Sequence, residues 1–230
     1  MSELPLVAIR PEPGLGRTIA RGREVGLAVE GFPLFTVQPV AWDAPDPADY
    51  DALLVGSGNA LRHAGEALRA FARLPVYAVG EETAAAARTA GFGVKWTGPG
   101  SLQPLLDGLS GQSLRLLRFA GRAHVPLDVP PGIAVTTRIV YEVNGSPLPV
   151  ALAERLRQGA VVLLHSGEAA AHFATECDRL ELARGTISIA ALAPRIAERA
   201  GGEWRAVGVA AIPDDTALLA AAVRMCKEGC

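Results

Sequence analysis

The chain has 230 residues, half of them hydrophobic and 20% charged, with a formal net charge of −2. No apolar run approaches the ~18–20 residues a membrane span needs, and no basic tract or arginine-rich helix is present, which argues against a membrane or nucleic acid as the main partner. Cys177, Cys226 and Cys230 are odd in number and lack CxxC spacing, and the four histidines are dispersed. Neither a metal site nor a disulfide framework is therefore expected. The N-terminal MSELPLVAIR carries an acidic residue early and passes straight into a strand pattern, so no secretory leader is expected and the cytoplasm is the expected compartment.

In chain order, Leu6-Val7-Ala8-Ile9 reads as a strand that Arg10-Pro11-Glu12-Pro13-Gly14 cannot continue. Thr18–Ala28 reads as a helix leaving through Gly26. Val29–Val40 is one long extended stretch, with Pro33 and Pro39 suited to an edge. After a polar, proline-rich segment at 43–49 comes Ala52-Leu53-Leu54-Val55, closed by Gly56-Ser57-Gly58-Asn59. A short apolar run followed by glycines and a helix start is the pattern of a buried parallel strand, whose loop faces the next helix's N-terminal amides.

Pro75–Val79 is a further strand, running into Gly80-Glu81-Glu82-Thr83 and an alanine-rich helix over Ala84–Ala90 that Gly91 ends. Val94–Trp96 reads as a strand, Leu102–Leu109 as a short helix with Pro104 in its first turn, and Leu114–Leu117 as a strand ending at Arg118. Ala134–Val143 is a second long extended stretch. Val161–Leu164 with His165-Ser166-Gly167 repeats the earlier Ser-Gly unit at an offset of 109 residues, and Thr186–Ile189 repeats Pro75–Val79. Ala206–Ala210 is the next strand, and Asp214 is a good N-cap for a helix over Thr216–Cys226.

Arg10 and Arg118 both end apolar strands and stand 108 residues apart, so the repeat spans arginine, Ser-Gly and Gly/Thr units. Strands alternating with helices predict two copies of an open, mostly parallel α/β sheet. Each long extended stretch precedes a fresh Ser-Gly unit, as two crossings between domains would. The predicted division is residues 1–36 plus 144–230 for a discontinuous domain one and 37–143 for domain two.

Ligands of such sheets sit beyond the carboxyl ends of the strands. The residues there are Arg10, Ser57, Gly58, Asn59, Thr83, Arg118, Ser166 and Gly167. Hydroxyls, guanidiniums and helix-N-terminal amides suit carboxylates or phosphates, but the set is poor in general acids and bases. Each residue also has an ordinary structural role to weigh. Ser57 and Ser166 suit helix caps, Arg10 and Arg118 surface charges, and Thr83 an early-helix hydroxyl. Tyr141 suits an amphipathic aromatic in an interdomain strand. His165 and His172 fit packing or surface positions better than catalysis. No GxGxxG or Walker sequence is present.

The order and spacing of IRPEPG, EGFPLFTVQPV, DALLVGSGNALR, LPVYAVGEETAAAARTAGF, LRFAGR, VYE at 140–142, VVLLHSGEAAAHF and IPDDTALLAAAV resemble the uroporphyrinogen-III synthase family over nearly the whole chain. The resemblance implies an α/β fold of two flavodoxin-like domains with parallel sheets, joined by a two-stranded β-ladder linker. It also implies closure of hydroxymethylbilane to uroporphyrinogen III, with loss of water and inversion of the last ring. The expected partner is a small-molecule tetrapyrrole, with no cofactor, metal, nucleic acid or membrane, and the protein is expected to be a monomer. By resemblance Tyr141 matches the tyrosine proposed to assist hydroxyl departure, and Thr83 the threonine of the VGxxT loop. Where the family's second loop often reads GPTT, this chain has Ala190-Ala191-Leu192-Ala193, so no hydroxyl carries over there. A two-lobed binding protein for a small anionic ligand is the rival reading.

Overall fold

The computed structural model describes residues 4–228, with side chains through 226. From the N-terminus it contains β1 (Leu6–Ala8), α1 (Gly14–Glu24), β2 (Val29–Gly31), β3 (Phe35–Pro39), β4 (Ala52–Val55), α2 (Gly58–His63) and β5 (Val76–Ala78). Next come α3 (Glu81–Thr89), β6 (Val94–Thr97), α4 (Leu102–Asp107), β7 (Leu114–Gly121) and β8 (Ile133–Gly145). The rest is α5 (Val150–Arg157), β9 (Val161–Leu164), α6 (Gly167–Arg179), β10 (Ser188–Ala191), α7 (Pro194–Arg199), β11 (Ala206–Val209) and α8 (Asp215–Glu228).

β4 and β9 are buried along their whole length. Their alternate side chains feed different cores: Val162 and Leu164 enter one cluster with Phe173 and Trp204, Val161 and Leu163 another with Leu218 and Leu219. Leu53 and Val55 likewise pack with Phe71 and Phe119, while Ala52 and Leu54 pack with Leu105 and Leu116. Burying one such Val or Leu is worth about 1.5–3 kcal/mol. An unbroken apolar strand is stable here because helices cover both of its faces.

Two compact units result, Met1–Thr36 with Gly145–Cys230, and Val37–Asn144. The first holds a five-stranded sheet in the order β11-β10-β9-β1-β2, parallel throughout. The other sheet has the order β3-β8-β7-β4-β5-β6. Its strands from β8 to β6 are parallel, and β3 forms the edge beside β8. Val40 N bonds Val140 O at 3.0 Å and Ser146 N bonds Leu34 O at 2.8 Å, so these two segments run in opposite directions.

The two parallel sheets share one order under a circular permutation. In the first, β2-β1-β9-β10-β11 is the flavodoxin-like order 2-1-3-4-5. In the second, β8-β7-β4-β5-β6 is the same order if the chain is counted from β7. β7 therefore stands where β1 stands, and β4 where β9 stands. This accounts for the spacing of both Arg10 with Arg118 and Ser57 with Ser166.

Several boundaries differ from the sequence expectation. The first helix is Gly14–Glu24, not 18–28: Pro13 starts it, Glu12 Oε2 accepts from Gly16 N at 3.0 Å, and Gly26 leaves it at φ 76°. Val29–Val40 is two strands rather than one, because β2 pairs with β1 before the chain turns through Pro33 to β3. β7 continues to Gly121, so Arg118 lies within it, pinned by pairing to both β4 and β8. β10 begins at Ser188, which puts Ala190 and Ala191 in the strand and leaves only Leu192-Ala193 before α7. Sequence reading did not find α5.

Candidate functional site

In each parallel sheet the strand order reverses between the β1-type and β9-type strands, and that reversal is where an open α/β sheet offers its crevice. In the first unit this place is filled from within. Asp215, the first residue of α8, accepts from Thr18 Oγ1 at 2.8 Å and from His165 Nε2 at 3.0 Å, and lies 3.4 Å from Arg10 Nη1. Burial would push the Asp215 carboxyl up, but the hydrogen bonds from His165 and Thr18 and the Arg10 charge outweigh it and hold it at about 2. Burial pushes the His165 imidazole down, the Asp215 hydrogen bond only partly opposing this. Its side chain is 6% exposed. Both shifts favour a neutral imidazole bonded to an ionised carboxylate. Beside it, Ser166, Gly167, Arg195 and Arg199 line an open depression together with Glu168 and Glu198.

The second unit has the same frame with different fittings. α4 follows β6 as α8 follows β11, but its first residue is Leu102 where α8 has Asp215. The crossover from β7 to β8, residues 122–132, holds no helix where α1 joins β1 to β2. Pro126, Pro130 and Pro131 explain that, since they remove amide donors and fix φ. Arg118 is accordingly left 6% exposed with a buried Nε that no group bonds. Burial pushes its guanidinium below the usual range, the nearby Tyr141 offsetting part of this.

The space in front of it is a cavity of 320 Å³ lined by Ser57, Arg118, Tyr141, Ser101, Gln103, Gly121 and His124 among others. Tyr141 sits opposite Gly121 in the β7–β8 register. A Cβ on Gly121 would lie 2.7 Å from Tyr141 Cζ, so the phenol rests on bare backbone. His63 stacks obliquely at 6.4 Å between ring centroids.

The structure thus brings Ser57, Arg118 and Tyr141 to one cavity. Gly58, Asn59 and Thr83 lie outside its lining. Gly58 lets α2 approach α3, since a Cβ there would be 3.0 Å from Ala86 Cβ. Asn59 accepts from Arg62 at 2.8 Å, and Thr83 is buried in the first turn of α3. Ser57 and Ser166 both cap their helices, their Oγ atoms accepting from Asn59 N at 3.2 Å and Ala169 N at 3.1 Å. Sequence reading missed Gly121, His124, Thr18 and Asp215. The proline-broken 122–132 segment was a usable signal for His124, and Asp214-Asp215 ahead of an apolar helix for the last. Among the described residues no group of His, Cys, Asp and Glu could hold a metal ion, and no helix is long and apolar enough to cross a membrane.

No curated protein sequence matches the chain. The solved uroporphyrinogen-III synthetase of Helicobacter pylori 26695 resembles it with a TM-score of 0.65 at 17% identity, over 96% of this chain and 99% of its own. A mutant uroporphyrinogen III synthase from the extremely thermophilic bacterium Thermus thermophilus does so with a TM-score of 0.54 at 16% identity, over 97% and 99%. These likenesses establish the shared fold. The family described as uroporphyrinogen-III synthase HemD matches residues 17–220, and with that match over most of its length the chain belongs to the uroporphyrinogen-III synthase family.

Proposed function

We propose that the chain closes linear hydroxymethylbilane to uroporphyrinogen III, with water leaving the hydroxymethyl carbon and the last pyrrole ring inverted. This makes it a lyase of haem synthesis. The observation that carries the reading is Arg118, a largely buried arginine with an unbonded Nε, bordering a cavity that Ser57 and Tyr141 also line. A buried cation without a partner costs stability, and an anionic ligand repays it. The substrate bears eight acidic side chains, so one carboxylate suits Arg118 by charge and by the planar geometry of the pair.

In this reading Tyr141 donates a hydrogen bond to the departing hydroxyl as charge develops, and Gly121 fixes the height of its ring. Ser57, which borders the cavity, donates its hydroxyl to a neighbouring carboxylate. Ser166 and Gly167, at the start of α6, take another carboxylate, while Arg10 is engaged by Asp215. Thr83 supports the N-terminus of α3. The work of the protein is mainly to hold a floppy bilane in the shape where inversion outruns simple closure. The reading includes a monomeric, cytoplasmic protein that needs no cofactor. A binding protein for a small anion would use similar donors, but the family match supports catalysis.

The test supplies freshly generated hydroxymethylbilane and separates the uroporphyrinogen isomers. Accumulation of type III is expected; type I alone, the product of uncatalysed closure, would overturn the reading.

A further inference from the structure

His124 stands in the irregular β7–β8 crossover and borders the same cavity as Arg118 and Tyr141. Its Nδ1 is 2.9 Å from Gly121 O and 3.2 Å from Arg122 O. Both neighbours are carbonyl acceptors, so Nδ1 must carry the proton. In the neutral ring Nε2 is then a bare acceptor with a fixed direction. The anchoring carbonyl belongs to Gly121, the residue on which the Tyr141 ring rests, so imidazole and phenol are referenced to one point of backbone.

With that ring in its neutral form, the cavity lining offers two complementary fittings, a buried cation at Arg118 and an acceptor at His124. Carboxylates meet the first. The second asks for a donor, and apart from the hydroxyl, which the proposed function gives to Tyr141, the donors of a hydroxymethylbilane are its pyrrole N–H groups.

Resting on the proposed function, we propose that His124 is a substrate-contacting residue whose Nε2 accepts a hydrogen bond from a pyrrole N–H while Arg118 holds a carboxylate. No proton need be transferred for this role. It orients one ring about its own axis, which a carboxylate contact at the end of a flexible side chain cannot do.

Two substitutions separate this from simple loop anchoring. His124→Asn places an amide N–H near the position of Nδ1 and keeps the bond to Gly121 O, but offers nothing at Nε2. His124→Gln reaches the position of Nε2 with an amide oxygen and gives up the anchor. The expected result is that His124→Asn loses about tenfold in kcat/KM for uroporphyrinogen III formation, the scale of one hydrogen bond lost with its partner left unmet. His124→Gln recovers most of that loss. Unfolding midpoints of both variants are compared with wild type. The reverse order, Asn active and Gln impaired, would show an anchoring role only and overturn the proposal, as would two variants equal to wild type. A wild-type protein that forms no type III isomer would instead sink the proposed function itself.

Discussion

Arg10 follows β1 and Arg118 lies within the equivalent β7, yet the first is bonded from within and the second has an unbonded Nε. That difference yields opposite consequences on substitution. Arg118→Met removes a desolvated charge and keeps a long apolar stem, so we expect the unfolding midpoint to hold or rise while KM for hydroxymethylbilane rises by at least tenfold. A lowered midpoint with unchanged KM would assign Arg118 to structure. Tyr141→Phe keeps the ring on Gly121 and deletes only the hydroxyl. If that hydroxyl acts as a proton donor, kcat falls roughly 10²–10⁴-fold with the midpoint unchanged, and a near-wild-type rate would return Tyr141 to packing. Both arginines were legible in the sequence because the 108-residue offset paired them. Their different fates were not, since the fate of Arg10 depends on Asp215, 205 residues away, and nothing in the sequence sets Leu102 in the matching place for Arg118. His165 shows the same limit: histidine beside a helix reads as packing, and only folding brings Thr18 and Asp215 to it.

At the scale of elements, the central strands were readable because burial on both faces gives unbroken apolar runs, as in Ala52–Val55 and Val161–Leu164. Elsewhere it was harder: β2 and β3 read as one extended stretch because Pro33 alone does not show where pairing with β1 ends, and α5 is short and lacks a side-chain cap. The contrast between α8 and α4 gives a direct test of the site. Leu102→Asp would install at the start of α4 the carboxylate that Asp215 supplies in α8. An internal partner for Arg118 then competes with the substrate, so the unfolding midpoint should rise and kcat/KM should fall at least tenfold. Unchanged kinetics would mean that Arg118 does not hold substrate.

A second element-scale test concerns α6. Glu176 accepts from Leu148 N at 2.7 Å and from Arg179 at 2.9 and 2.6 Å. The Arg179 bonds first, against the cost of burial and with help from Leu148, hold its carboxyl at about 2 instead of 4.5. A depressed carboxyl stabilises the fold fully above its unfolded value and loses that contribution as pH falls from about 4.5 through about 2. Glu176→Gln should cost about 1–3 kcal/mol at pH 7, with the gap to wild type closing below pH 4. A gap constant with pH would mean that charge is not the source.

At the scale of the whole molecule, the duplication is one sheet order entered at two points. Counting from β1 leaves the first unit split between the two ends of the chain, and counting from β7 lets the second be continuous. The sequence carried this in its repeat offsets and in its two long extended stretches, but offsets alone could not say which strand led each copy. Pairing does: β1 lies between β9 and β2, in register Val7↔Val162 and Val7↔Glu30. We propose that these units are independent folding domains, and the two differ in what excision should do. A fragment of residues 37–144 retains β4 to β7 and most of β8, with the Leu53–Phe119 and Leu54–Leu116 cores entire. It should show far-UV helix and strand signals and one cooperative thermal transition. A fragment of residues 145–230 lacks β1 and β2, which exposes one edge of β9 and the apolar face that Leu15 and Val29 share with Leu218. It should fail to fold alone and regain a cooperative transition when residues 1–36 are joined to it by a flexible linker. A fragment 37–144 that melts without cooperativity would refute independent folding of that unit, and a cooperative 145–230 alone would refute the need for the N-terminal strands.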